Sequence, residues 1–239
     1  MRMAERNGDA TGDDIVERIC DTLAEAIAEG ALRPGMKLPE DVVGGHFGVS
    51  RTVVRGAIAV LQRDRLVERK RNRGAFVAEP GIDEARALLE ARRSLEMLML
   101  DHAFERASAE QLEALRALTI EEDRIHAAPD DAAKEKLSGR FHVELAKLAG
   151  NPVLLEALEK VLARISLVNA MYRRDHGDQC GANHHRDIIE AVAAGDQPAA
   201  RRLMSQHLDD LEHRLILDEA QGDSHSLTSV LERFSARAG

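Results

Sequence analysis

The sequence predicts a mainly α protein, an N-terminal winged helix-turn-helix domain followed by an all-α helical bundle. Three observations predict it. Hydrophobic residues make up 44% of the 239, yet aromatics are only 3%, with no Trp and 6 Pro. Such a core of Leu, Ala, Val and Ile suits helices better than a β-sandwich. From Ser50, an N-cap type, Val54, Ile58 and Leu61 recur at i, i+4 and i+7, which lines up one buried stripe. Two short β-prone runs around a Gly-bearing tip follow that helix, and no strand pattern appears after residue 80.

In order, residues 1–12 are polar and small and are expected to be disordered. A helix begins at Asp13, with Ile15, Ile19, Leu23 and Ile27 on one stripe, and ends near Gly30. Pro34-Gly35 makes a turn, Leu38 leads into a short helix from Glu40 to Phe47, and Gly48 supplies the tight turn before the next helix, which runs to Asp64. Leu66 to Arg69 and Ala75 to Ala78 flank the basic tip Lys70-Arg71-Asn72-Arg73-Gly74 as a hairpin. These elements make up domain 13–79, and Glu79-Pro80-Gly81 is the expected hinge.

The helix after Gly48 carries Arg51, Thr52 and Arg55 together on a face away from the apolar stripe. Guanidiniums one turn apart at a helix N-terminus can reach base edges and phosphates. The charge balance supports this. Residues 1–79 hold 13 Lys+Arg and 13 Asp+Glu, against 20 and 29 afterwards, so the net charge of −9 lies wholly in the second part. Residues 51–73 carry eight basic residues (Arg51, Arg55, Arg63, Arg65, Arg69, Lys70, Arg71, Arg73) against Asp64 and Glu68, a compact footprint for nucleic acid. Arg73 and Gly74, at the tip, are placed to meet a neighbouring phosphate or the minor groove.

Residues 80–222 read as helices throughout: 83–107, one opened by the capping box Ser108-Ala109-Glu110-Gln111, 132–148, a fourth opened by Gly150-Asn151-Pro152 and ending near Arg174, 182–194 and 197–221. Residues 223–239 form a tail. His142, His185 and His207 fall on three of these helices, and three imidazoles brought together can hold a divalent transition metal with positions left open. Surface or core histidines are the plainer reading. A rival Cys/His site uses Cys180 and His184 at i, i+4, near Asp187.

No apolar run approaches the ~18–20 residues needed to cross a bilayer, and Met1 to Gly8 lacks a signal-peptide core. A cytoplasmic protein without membrane partners is expected. Cys20 and Cys180 are too few for a disulfide framework, in keeping with a reducing compartment.

The blocks Ile27 to Leu38, Phe47 to Arg55, Leu66-Val67 and Arg73 to Val77 resemble the DNA-binding domain of GntR-type transcriptional regulators. The resemblance implies operator contacts from Arg51, Thr52, Arg55 and the wing glycine Gly74. Many members carry a basic residue after the glutamate matching Glu40; Asp41 stands there in this chain. Further on, Arg92-Arg93-Ser94-Leu95-Glu96, Phe141-His142, Ala149-Gly150-Asn151, His185-Arg186-Asp187-Ile188 and His207 resemble the FCD-type effector domain of the FadR branch. That resemblance implies a metal (Zn, Ni or Mn) held by an aspartate and three histidines. His142, His185 and His207 match the histidines, whereas Ser138 stands at the aspartate position. A hydroxyl is a poor replacement for a carboxylate ligand, so a weaker metal, one completed by effector or water, and no metal all stay open. Arg92 matches an arginine that faces the ligand pocket in several relatives and can pair bidentately with a carboxylate effector. Its other reading is a salt bridge to Glu96, one turn on.

The resulting expectation is a homodimeric regulator, a repressor and not an enzyme, which holds operator DNA and is controlled by a small carboxylate metabolite. Half-sites ~34–36 Å apart suit two copies. The alternatives are a ligand-independent DNA-binding protein and a metal-dependent hydrolase, for which the sequence offers no positioned general base or nucleophile motif.

Overall fold

The computed structural model describes residues 12–126, 131–173 and 181–217. The stretch before Gly12, Cys180 and the tail 223–239 lie outside the described residues. The chain forms two compact units that divide between Glu79 and Pro80.

In the first unit, α1 (Gly12–Ala28), α2 (Glu40–Phe47) and α3 (Arg51–Arg63) are followed by strands β2 (Val67–Lys70) and β3 (Gly74–Val77). A two-residue β1 (Lys37–Leu38), which the sequence pattern does not announce, pairs antiparallel with β3 and makes the order β1-β3-β2. Gly12, expected in the disordered stretch, is the first residue of α1. Ile19, Leu23 and Ile27 of α1 bury against Val54, Ile58 and Leu61 of α3, as their helical spacing requires.

Two glycines shape the turn between α2 and α3. Gly48 caps α2 with φ 67, in the left-handed region that side chains avoid. The Val49 N–H donates to the Gly44 carbonyl at 2.9 Å, and a Cβ on Gly44 would lie 2.9 Å from the Val49 carbonyl oxygen. Ser50 occupies the N-cap of α3 in extended conformation, but its hydroxyl makes no capping bond. Ser50 therefore leaves the first-turn N–H groups of α3 available to an anion.

The second unit contains α4 (Ile82–Arg106), α5 (Ala109–His126), α6 (Asp131–Leu148), α7 (Pro152–Tyr172), α8 (Gly181–Ala193) and α9 (Gln197–His213). The expected capping box forms: Ser108 N–H donates to Gln111 Oε1 at 2.9 Å and Gln111 N–H to Ser108 Oγ at 3.2 Å. Asn151 Oδ1 accepts from the Val153 and Leu154 N–H groups at the start of α7. The last helix is shorter than its spacing predicts. It stops at His213, and the chain then extends, so that Leu215 forms an isolated antiparallel bridge with Arg173 and Ile216 N–H donates to the Tyr172 carbonyl at 2.8 Å. Burying Leu215 against Val168 and Leu88 outweighs further helix propensity.

The main core draws Leu100 from α4, Leu115 and Leu118 from α5, Phe141 and Leu145 from α6, Ile188 and Ile189 from α8, and Met204 and Leu208 from α9. Helices α4, α5, α6, α8 and α9 thus meet around one interior, and α7 packs on α4 and α6 outside it. That interior houses the polar site.

The α2 glycines give a test with opposite signs. Gly45 is exposed, and a Cβ added to it would meet nothing within 4 Å, so Gly45→Ala is expected to stabilise by up to ~1 kcal/mol through helix propensity. Gly44→Ala is expected to destabilise. Urea unfolding followed by circular dichroism measures both, and a stabilised Gly44→Ala would contradict the close approach.

Candidate metal centre and nucleic-acid interface

The three sequence-predicted histidines meet. His142 on α6, His185 on α8 and His207 on α9 are all buried, to 2%, 0% and 1% exposure. His185 Nε2 and His207 Nε2 lie 3.2 Å apart, and His207 Nε2 and His142 Nε2 3.3 Å. Two nitrogens bound at ~2.0–2.1 Å to one tetrahedral ion stand ~3.3 Å apart. Among the described residues this is the grouping of His, Cys, Asp or Glu able to hold a metal ion.

Carboxylates orient two of the rings. Glu96 on α4 has Oε2 2.7 Å from His142 Nδ1, and Glu122 on α5 has both oxygens near His185 Nδ1, at 3.0 and 2.9 Å. With Nδ1–H donating outward, each Nε2 lone pair points to the centre, the tautomer a metal needs. Phe141 stacks on His185 with ring centroids 3.8 Å apart and planes 10° from parallel, which fixes the ring plane.

Arg92, the expected effector anchor, is buried with this group. Its Nε donates to Glu96 Oε1 at 2.6 Å, and its Nη2 lies 2.8 Å from His142 Nε2. The bridge to Glu96 expected from the one-turn spacing therefore exists, and the same guanidinium reaches the centre of the cluster. Ser138 sits one turn before His142 on α6, half-buried, and supplies no negative charge there.

The electrostatics keep the imidazoles neutral. Burial lowers the His142 pKa from the ordinary 6.5 despite Glu96, and burial, then neighbouring histidines and Arg92, lower those of His185 and His207 well below it. Burial alone would raise Glu96, but Arg92 and His142 outweigh it and hold this carboxylate below its usual range. Glu122 has no such cation, so burial, helped by Asp123, pushes it up to about 8. The donor set fits a divalent transition metal: three neutral nitrogens, two of them oriented by carboxyl groups, around one point.

Sequence reasoning missed Glu122 and the second role of Glu96. The signal for Glu122 was a carboxyl residue interrupting the α5 stripe Leu115, Leu118, Glu122 at i, i+3 and i+7. The rival Cys180/His184 reading falls on Cys180, which lies outside the described residues; His184 Nδ1 faces Asp210 Oδ2 at 3.6 Å.

In the first unit, Arg51, Thr52 and Arg55 lie exposed along the first turns of α3. Arg73 and Gly74 are exposed at the hairpin tip; Gly74 has φ 98, and the Arg73 Cζ lies 5.6 Å from the Phe76 ring centroid. Glu40, the first residue of α2, accepts from Arg55 Nε at 2.8 Å and from Arg69 Nη2 at 2.9 Å. One carboxylate thus ties Arg55 of α3 to Arg69 of strand β2. Because Arg55 bonds through Nε, its two Nη groups keep the kind of fork with which a guanidinium can pair a guanine edge.

For the metal-free protein the signs of the pKa shifts give a stability profile. The depressed histidines make the folded state bind fewer protons than the unfolded one, so stability falls as pH drops below 6.5. The raised Glu122 acts oppositely, its contribution being complete below the ordinary 4.5 and lost as pH rises through about 8. Three groups against one predict a net loss on acidification from 6.5 to 5, and only the Glu122 loss between 6.5 and 8. Melting temperatures across that range check this; a curve rising steadily from pH 8 to 5 would contradict it.

The sequence profile of the FCD domain matches residues 87–210, and that of the bacterial regulatory proteins of the gntR family matches residues 15–77. The chain is 30% identical over 219 residues to the Uxu operon regulator of Haemophilus influenzae, covering 83% of this chain and 80% of that protein. It is 27% identical over 226 residues to a putative L-lactate dehydrogenase operon regulatory protein of Escherichia coli, covering 80% and 83%. The crystal structure of a putative transcriptional regulator GntR from Rhodococcus sp. RHA1 superposes with a TM-score of 0.71 at 28% identity, over 83% of this chain and 95% of that one. The chain therefore belongs to the GntR family of DNA-binding transcriptional regulators, with an FCD-type helical domain after its winged helix, and is not an enzyme.

Proposed function

We propose that this regulator is a homodimeric repressor whose operator affinity is set by a small carboxylate metabolite. Residues 13–79 contact DNA through Arg51, Thr52, Arg55, Arg73 and Gly74, and residues 80–222 bind the effector and pair two copies. The observation that carries the ligand half is the buried guanidinium of Arg92 beside three neutral imidazoles. Glu96 takes the Nε of this guanidinium, and an anion that reaches Nη2 would add a second charge-assisted bond. His142, His185 and His207 hold the metal, which when bound supplies a Lewis-acidic point for a carboxylate oxygen. One relative is named for an L-lactate dehydrogenase operon, and lactate is a small carboxylate.

Control follows from differential binding. An acid that prefers a helical-domain arrangement incompatible with the operator half-site spacing lowers DNA affinity, and only by the extent of that preference. The test is a thermal-shift screen of small carboxylic acids with metal-free and zinc-loaded protein, since a ligand of the folded state raises the melting temperature by mass action. A stabilising acid should also release the duplex selected from a random-sequence library. Operator affinity indifferent to every stabilising acid would favour ligand-independent DNA binding instead.

On that selected duplex, Arg51→Ala and Arg55→Ala are each expected to cost ~1–3 kcal/mol and to relax specificity at one position. Arg73→Ala should weaken all sequences similarly and flatten the salt dependence. Glu40→Gln separates positioning from charge. Removing an anion near DNA raises non-specific affinity in either case, but if Glu40 aims Arg55 and Arg69, the ratio of specific to non-specific affinity falls. An unchanged ratio would reduce Glu40 to a surface charge.

A further inference from the structure

The Nε2 of His142 has two claimants. Glu96 Oε2 faces Nδ1 at 2.7 Å and a guanidinium, which can only donate, faces Nε2, so the ring proton sits on Nδ1 and the lone pair on Nε2. A metal held by the three histidines needs that lone pair. Arg92 Nη2 lies 2.8 Å from it as a donor. One lone pair in the ring plane serves one partner, and a guanidinium cannot yield by losing a proton.

We infer that Arg92 and the metal compete for His142, so that metal binding requires Arg92 to leave Nε2 and frees its Nη2 for another acceptor. Arg92 is 7% exposed and Glu96 offsets its charge, so the competition is for the lone pair itself; Ser138, one turn from His142, adds no further negative charge. Arg92 keeps Glu96 as partner through Nε at 2.6 Å, so its stem remains anchored while Nη2 changes partner.

The consequence rests on the reading that this cluster also takes a carboxylate. An anion that accepts from the released Nη2 holds Arg92 off His142 and so tightens metal binding; by linkage, metal tightens anion binding by the same factor. Arg92 is thereby the element that makes metal and effector bind together rather than independently.

The test uses untagged full chain stripped of metal, with zinc affinity measured by competition against a chromophoric chelator. Arg92→Ala and the bulkier Arg92→Leu are each expected to bind zinc at least ~10-fold more tightly than wild type. Acetate should tighten zinc binding in wild type and leave both variants unchanged. Zinc affinity equal to or weaker than wild type in folded variants would overturn the competition. Tighter zinc in the variants, with no carboxylate from acetate to citrate affecting the wild type, would keep the competition and sink the carboxylate reading. The wild type gives a check independent of whether the variants fold: zinc should remove the hydrogen-bonded signature of the Arg92 Nη2–H resonances and leave that of Nε–H, and an unchanged Nη2 signature at zinc saturation would overturn the inference.

Discussion

A carboxylate that is 2% exposed stays ionised only if its charge is met, and the second unit is organised around meeting it at Glu96. One oxygen takes Arg92 from the same helix and the other takes His142 from α6. That pairing commits α4 and α6 to one register, presents His142 with its lone pair inward, and leaves Arg92 within reach of the same nitrogen. Leu100, Phe141, Ile188 and Met204 then seal the surroundings from water, which raises the strength of every polar contact inside. Removing Arg92 would leave an uncompensated buried charge, a loss of a kind that costs ~3–5 kcal/mol. Apolar packing builds the bundle, and this polar triad sets what its interior can bind.

A carboxylate plays a comparable part in the reading head. Glu40 holds Arg55 and Arg69 together as Glu96 holds Arg92 and His142, but at the surface, where the side chains are half exposed and water screens the pairs. Its contribution is therefore to direction rather than stability. An arginine already aimed loses less rotamer freedom on meeting DNA. The acidic excess of residues 80–239 leaves the basic face of 51–73 as the region that attracts phosphate.

The helices were legible wherever an apolar period met a clear stop: Ile19, Leu23 and Ile27, the capping box at Ser108, and the Gly150-Asn151-Pro152 junction all have local causes. The end of α9 was not, because what stops it is Leu215 pairing with Arg173, a contact that periodicity cannot see. β1 escaped notice because two residues carry no alternation. In the site, the three histidines stood out by residue type and resemblance, and Arg92 with Glu96 by one-turn spacing. Glu122 was invisible as a partner of His185 because 63 residues separate them and only the packing of α5 on α8 joins them. Ser50 has the residue type of a hydroxyl cap, and the backbone does place it at the N-cap, yet its hydroxyl does not bond.

The most direct measurement is a crystal structure of zinc-soaked protein with anomalous data collected at the zinc edge. The account predicts one strong peak ~2.0–2.1 Å from Nε2 of His142, His185 and His207, with Arg92 Nη2 beyond hydrogen-bonding distance of His142. No peak at zinc saturation, with the guanidinium still on His142, would contradict it.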